Sequence, residues 1–243
     1  MKHLLRRSDQ IAHGESITRL ENVSKNFGDL AVIRDVNLDI KKGEFVVMTG
    51  PSGSGKSTIL RTIAGLERPD SGNVEVMGKS LYSLKESQQD KLISKHLGVG
   101  FQAHNLDTGM SVLNNIESLA EARGRVDSHR VGKLVVAFGL QEKIMRRESV
   151  ASLSGGEKQR LALGRLLVPK PDLVLLDEPT ASIDPHGKEA VYATLRELNE
   201  DEGTTFLIIS HDEVAQQYAD RSIRVESGSI ASGTPLTPFT PAA

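Results

Sequence analysis

Along residues 36–40, apolar Val36, Leu38 and Ile40 alternate with polar Asn37 and Asp39. A period of two sends successive side chains to opposite faces, so the segment predicts a strand with one wet face, in an antiparallel sheet. Residues 44–49, 173–177 and 205–210 read differently. They are short, nearly continuous apolar runs, the pattern of strands covered on both faces by helices, and they predict a parallel core. Helical spacing falls between them at 57–66, 111–123, 129–138, 155–168 and 185–202. In the last of these Asp184 is placed to cap, Pro185 suits the first turn, Val191, Leu195 and Leu198 share a face, and Gly203 ends the helix.

Residues 103–153 carry mostly helical signals and no convincing strand, which predicts a helical subdomain inserted into an α/β core. No repeat at a period of roughly 20 to 50 residues is visible, which argues against a solenoid. Residues 1–16 read as an amino-terminal extension and 17–230 as one folded unit. Three prolines in the final eleven residues oppose both helix and ladder, so 231–243 read as a disordered tail.

With 243 residues and 38% hydrophobic content, the chain is able to bury a real core. Its net charge of -2 gives no global basic field, so nucleic acid is not an expected partner. The absence of cysteine removes disulfides, thiolate metal sites and thiol nucleophiles together. The longest apolar runs fall far below the ~18 residues of a membrane-spanning helix, and the basic start with only Leu4 and Leu5 lacks the apolar region of a secretion signal.

Gly50, Pro51, Ser52, Gly53, Ser54, Gly55, Lys56, Ser57 and Thr58 satisfy G-x-x-x-x-G-K-[ST] between an apolar strand and a helical pattern. Glycines let the backbone turn around a ligand. The amides of Gly53, Ser54, Gly55 and Lys56 then aim at phosphate oxygens, backed by the positive end of the following helix. Lys56 is expected to reach the terminal phosphates of ATP and Ser57 to offer its hydroxyl to Mg2+. The apolar run at 173–177 ends in adjacent carboxylates, Asp177 and Glu178, at the strand end where ligands of open α/β sheets bind. Asp177 is the expected metal holder and Glu178 the group that orients and polarises the attacking water. Standing alone, the pair reads equally as two carboxylates solvating a strand end.

Leu153, Ser154, Gly155, Gly156 and Glu157, followed by Lys158, Gln159 and Arg160, match the signature of the ABC ATPase family almost letter for letter. The resemblance runs from about residue 17 to 230 and includes, in the family's order, the phosphate loop, Gln102, the signature, Asp177 with Glu178, Asp184 and His211. It implies a P-loop NTPase core with a mixed sheet, an antiparallel β subdomain and the inserted helical subdomain, using ATP and Mg2+. Ser154 caps a helix whose next two residues lack side chains, so an anion is able to approach the free amides closely. The resemblance makes this a second phosphate site: Ser154, Gly155 and Gly156 of one copy contact the γ-phosphate held by Lys56 of another, giving an ATP-sandwich homodimer.

The resemblance also implies that Gln102 contacts magnesium and water, that His211 touches the γ-phosphate and helps position Glu178, and that Asp184 lies in the loop between copies. On their own these three read as a loop residue, a strand-end histidine and a helix cap. Phe27 stands where the family stacks a ring on adenine, and a core role is the alternative. Leu106, Met110, Val112, Leu113 and Ile116 lie near the groove that receives a short helix from an integral membrane subunit, or are ordinary core. The implied setting is peripheral, on the cytoplasmic face of the inner membrane, and the transported substance is a property of the membrane partner.

Compact spacing and phrases such as Leu81 to Leu84 resemble the lipoprotein-release, macrolide-export and cell-division group. The family's usual pattern is departed from at 181–184, at Val150 and Ala151, where a proline is usual, and at Gly164, where alanine is usual and close packing is one reading. A soluble ABC protein acting in DNA repair or on ribosomes is the competing expectation. The 98 residues between Gly55 and Ser154 leave no room for a long coiled coil, which disfavours it.

Overall fold

Both predicted sheets are present in the computed structural model, which describes residues 14–101, 105–124 and 126–235. The antiparallel sheet is built from β1 (Ser16–Phe27), β2 (Leu30–Lys41), β4 (Ser71–Val76) and β5 (Lys79–Ser80) in the order β2-β1-β4-β5. Its inward face carries Val36, Leu38 and Ile40 of β2 together with Ile17, Leu20 and Val23 of β1.

The larger sheet has the order β10-β9-β3-β8-β7-β6, with β3 (Phe45–Thr49), β6 (Leu97–Gly100), β7 (Leu173–Asp177), β8 (Thr205–Ile209), β9 (Arg221–Glu226) and β10 (Ser229–Pro235). All its pairings are parallel except β9 with β10. Its central strands show why their sequences are continuously apolar. Phe45, Val47, Val174, Leu176, Phe206 and Ile208 point into one core, and Val46, Met48, Leu173, Leu175, Leu207 and Ile209 into the other. Each strand therefore needs apolar residues at both parities.

The second core is closed by α1 (Lys56–Ile63), through Ile59, Leu60 and Ile63, and by Leu92 of α2 (Glu86–His96). The first core is closed by α3 (Val112–Ala122), α4 (Ser128–Ala137), α6 (Gly155–Leu167) and α7 (Pro185–Glu202). Two short helices, α5 (Gln141–Met145) and α8 (Glu213–Gln217), complete the set among the described residues. Gly164 sits where α6 meets its neighbours: a Cβ there would lie 3.0 Å from Ile116 Cδ1 and 3.5 Å from Phe138 Cδ2. Close helix approach accounts for the glycine.

Two expectations at the termini are corrected. β10 continues to Pro235, which registers against Arg221 of β9, so residues 231–235 are a strand and not a disordered tail. β10 is an edge strand, where a proline's missing donor costs no ladder bond on the open side. At the other end Ser16 belongs to β1, and Glu15 already ties in by accepting from the Lys42 backbone N–H at 2.9 Å. α2 went unread in the sequence because only Leu92 of its eleven residues is buried, leaving almost no apolar period.

Candidate nucleotide-binding and hydrolytic site

Strand order assembles the site. β8 lies between β3 and β7, so the carboxyl ends of three adjacent parallel strands present, side by side, the phosphate loop, His211 and the Asp177–Glu178 pair. An open cleft of about 490 Å3 there is lined by residues 52–58, Asp177, Glu178 and His211, with Val32, Ala181 and Ile209. Gly50 and Pro51 line an adjoining cleft with Ser210 and His211.

The loop's glycines are required sterically. Gly50 has φ +138, and a Cβ would lie 2.1 Å from the Val225 carbonyl oxygen; Gly55 has φ +102, and its Cβ would lie 2.7 Å from the Val32 carbonyl oxygen. α1 begins with no side-chain cap. Its first amides are thus available to an anion, with the helix dipole behind them. Lys56 is buried and donates to the carbonyl oxygens of Gly50 and Pro51, both at 2.8 Å. Burial lowers its pKa, opposed by the charges of Glu178 and Asp177. Ser57 and Asp177 line the same cleft and offer hard oxygen donors, a set that suits Mg2+. The buried Ser54 Oγ has no hydrogen-bond partner among the described residues.

Glu178 holds a left-handed backbone with φ +50. Its N–H donates to the Ile209 carbonyl at 2.9 Å and its carbonyl accepts from Gln159 Nε2 at 3.0 Å, so the turn is held from both sides. Burial raises the pKa of its carboxyl, partly offset by His211. The buried Oε1 lacks a hydrogen-bond partner, and His211 Nε2 stands 3.6 Å away. A partly desolvated acceptor beside an exposed imidazole is fit to hold and polarise a water.

The remaining expected residues lie outside this cleft. Ser154 caps α6 by accepting from the Glu157 N–H at 3.3 Å, and Glu157 returns the contact by accepting from the Ser154 N–H at 2.8 Å. Ser154 and Gly155 are exposed. Asp184 caps α7 by accepting from the Gly187 N–H at 3.0 Å, and that bond is the main reason its pKa is lowered. Phe27 is 48% exposed with Lys25 Nζ 5.3 Å from its ring centre, which excludes the core role. Gln102 lies outside the described residues. The apolar set near α3 divides: Val112 and Ile116 are core, Leu106 packs against it, and Met110 and Leu113 are exposed.

Sequence reasoning missed Gln159. It is buried, and besides the Glu178 carbonyl it accepts from the Ser182 N–H at 2.8 Å, tying the signature helix to the Glu178 turn of the same chain. Also missed were Thr180, Tyr192, Ser210, Lys188 and Asp212, which hydrogen bond together behind His211. A tyrosine on the apolar face of α7 was the available signal, because a buried hydroxyl needs a partner.

The strand order, the uncapped α1 with its lysine, and the two carboxylates at the end of β7 define a P-loop ATPase. Residues 33–181 match the ABC transporter family, and the chain belongs to that family as an ATP-binding, ATP-hydrolysing subunit. It is 36% identical over 214 residues to the lipoprotein-releasing system ATP-binding protein LolD of Bacteroides fragilis, covering 87% of this chain and 98% of that one. The methionine import ATP-binding protein MetN of Mesorhizobium japonicum is 36% identical over 226 residues, 91% of this chain and 61% of its own. The dimeric post-hydrolysis structure of the ATP-binding cassette MJ0796, bound to ADP and Pi, has a TM-score of 0.82 at 31% identity, covering 91% of this chain and 100% of that one. No described helix is long and apolar enough to cross a membrane.

Proposed function

We propose that two copies of this chain close head to tail over two molecules of Mg-ATP and drive an integral membrane subunit from the cytoplasmic face of the inner membrane. The observation that carries this reading is a division of labour within the chain. The cleft of a single chain is lined by the phosphate loop, Asp177, Glu178 and His211, whereas the signature residues Ser154, Gly155 and Gly156 do not line it. A second copy is able to supply the Ser154 hydroxyl and the Gly155 and Gly156 amides to the γ-phosphate, the Ser154 N–H being held by Glu157. The dimeric state of MJ0796 supports the arrangement.

In this site the amides of residues 53–56 bind the phosphates and Lys56 neutralises the terminal ones. Phe27 offers its exposed ring face to adenine. Ser57 and Asp177, with Gln102, hold Mg2+, which supplies charge neutralisation at the phosphate oxygens. Glu178 accepts a hydrogen bond from the attacking water and His211 steadies Glu178 and the γ-phosphate. Catalysis is then mainly positioning and fixed charge. Cleavage removes the group that both copies grip, so ATP and ADP differ in affinity for the closed dimer, and that difference is the work stroke. Asp184, exposed at the start of α7, faces the other copy, and the exposed Met110 and Leu113 belong to the surface that meets the membrane subunit.

Size-exclusion chromatography with light scattering tests this directly. The Glu178→Gln chain with saturating Mg-ATP is expected to elute as a dimer and to return to monomer when ATP is exchanged for ADP. A persistent monomer with ATP bound refutes the reading. Affinity purification in mild detergent tests the partner, and recovery of ribosomes or DNA in place of an integral membrane protein reverses it.

A further inference from the structure

A closed ring of hydrogen bonds runs behind Glu178 and His211. Thr180, Tyr192 and Ser210 are each wholly buried and come from three places: the loop after β7, the inner face of α7 and the end of β8. Thr180 Oγ1 donates to Asp212 Oδ2 at 2.9 Å. A hydroxyl carries one proton, so the 3.1 Å contact between Tyr192 and Thr180 runs from the phenol to the threonine oxygen. That commits the tyrosine's proton. At the 3.0 Å contact with Ser210 the serine is therefore the donor. Ser210 Oγ in turn accepts from the Asp212 backbone N–H at 3.1 Å, and the path returns to the residue where it began.

Two features set the direction of this ring. Lys188 Nζ, at the start of α7, sits 2.8 and 3.0 Å from the two oxygens of the Asp212 carboxylate, which fixes that group as an acceptor. Burial pushes the Tyr192 phenol up to about 12, so it keeps its proton. With every hydroxyl donating once, the bonds polarise one another in one sense around the ring.

Its placement is specific. His211 is the single residue between Ser210 and Asp212, so the ring grips the backbone on both sides of it. Thr180 lies two residues beyond Glu178 and holds the far side of that turn. Lys188 stands four residues after Asp184 on the same helix. We propose that Tyr192 and Lys188 are positioning residues for hydrolysis: through this ring they fix the separation of His211 and Glu178, and they link that pair to the Asp184 end of α7. The inference rests on the roles given above to Glu178 and His211.

The test uses the full chain. Tyr192→Phe keeps the ring stacked on Tyr218, with centroids 6.2 Å apart, and removes only the hydroxyl. Its kcat for ATP hydrolysis is expected to fall about tenfold with KM for ATP unchanged, because only an interaction serving the transition state is lost. Lys188→Met, at a partly exposed site, should behave alike, and Lys188→Arg should recover most of the rate. In a His211→Ala background Tyr192→Phe should add little, since both act on one contact. In a Glu178→Gln background it should leave the ATP-dependent dimer intact. A merely structural role predicts the opposite set: kcat and KM changing together, losses that multiply with His211→Ala, and no rescue by arginine. Either that set, or unchanged kcat in both Tyr192→Phe and Lys188→Met, overturns the inference while leaving the function standing. An unsubstituted chain that neither hydrolyses ATP nor dimerises removes the function itself.

Discussion

The helix N-termini at the phosphate loop and at the signature are built in opposite ways. The loop at 50–58 borders an open cleft but is anchored at its base: Lys56 is buried, Gly50 and Gly55 press against the carbonyls of Val225 and Val32, and the cleft is completed by β7 and β8 of the same chain. The signature end at Ser154 is open. It has its own cap and its own glycines, yet Ser154 and Gly155 are exposed and, among the described residues, no strand end of this chain forms a cleft around them. Both are helix N-termini following the same physics. The difference teaches that an anion site becomes an active site only where tertiary structure gathers further groups around it; in the proposed dimer the open end would complete the cleft of a second copy.

The largest effect belongs to the phosphate-loop end. Glu178→Gln should reduce ATP turnover by about a thousandfold, the scale of a lost general base, while ATP binding persists, as checked by phosphate release and by nucleotide retention. Lys56→Ala should weaken ATP binding about a hundredfold, the loss of a charged hydrogen-bonding group, measurable by calorimetry. The contrast itself is tested by mixing. Ser154→Arg and Lys56→Ala chains, each inactive alone, should regain about a quarter of the wild-type rate at equal amounts, since half the pairs are mixed and each mixed pair has one intact site. Absence of rescue despite dimer formation would mean the open end does not act across copies.

Smaller effects sharpen the open end. Ser154→Ala removes a helix cap and should cost about 1 kcal/mol in urea unfolding. The smallest concerns Glu157, whose pKa is lowered first by the hydrogen bond from the Ser154 N–H, with Lys143 adding to it. A lowered folded pKa means this contribution is present above the ordinary value of 4.5 and is lost as pH falls through the lower folded value. The thermal advantage of the unsubstituted chain over Glu157→Gln should therefore be steady near neutrality and vanish on acidification below that window.

Much of this was legible in the residues alone. The alternation in β2, the doubly apolar runs of β3, β7 and β8, and the caps of α6 and α7 are local signals, each set by its own few side chains. The glycine–lysine loop and the adjacent carboxylates likewise announce their chemistry by spacing. What escaped was of another kind. α2 has one buried residue and hence no period to read, and the proline-bearing end became a strand because β9 offers it an edge.

Sequence thus determined which segments fold how, and which of them are able to meet phosphate, since period, caps and glycines act over a few residues. Only tertiary structure decided that β8 lies between β3 and β7, bringing His211 to 3.6 Å from Glu178. It alone closed the ring through Thr180, Tyr192, Ser210 and Asp212 and set Gln159 against the Glu178 turn. Hydrogen bonds between residues far apart in sequence leave no period behind. They exist only once burial has removed the water that would otherwise satisfy those groups.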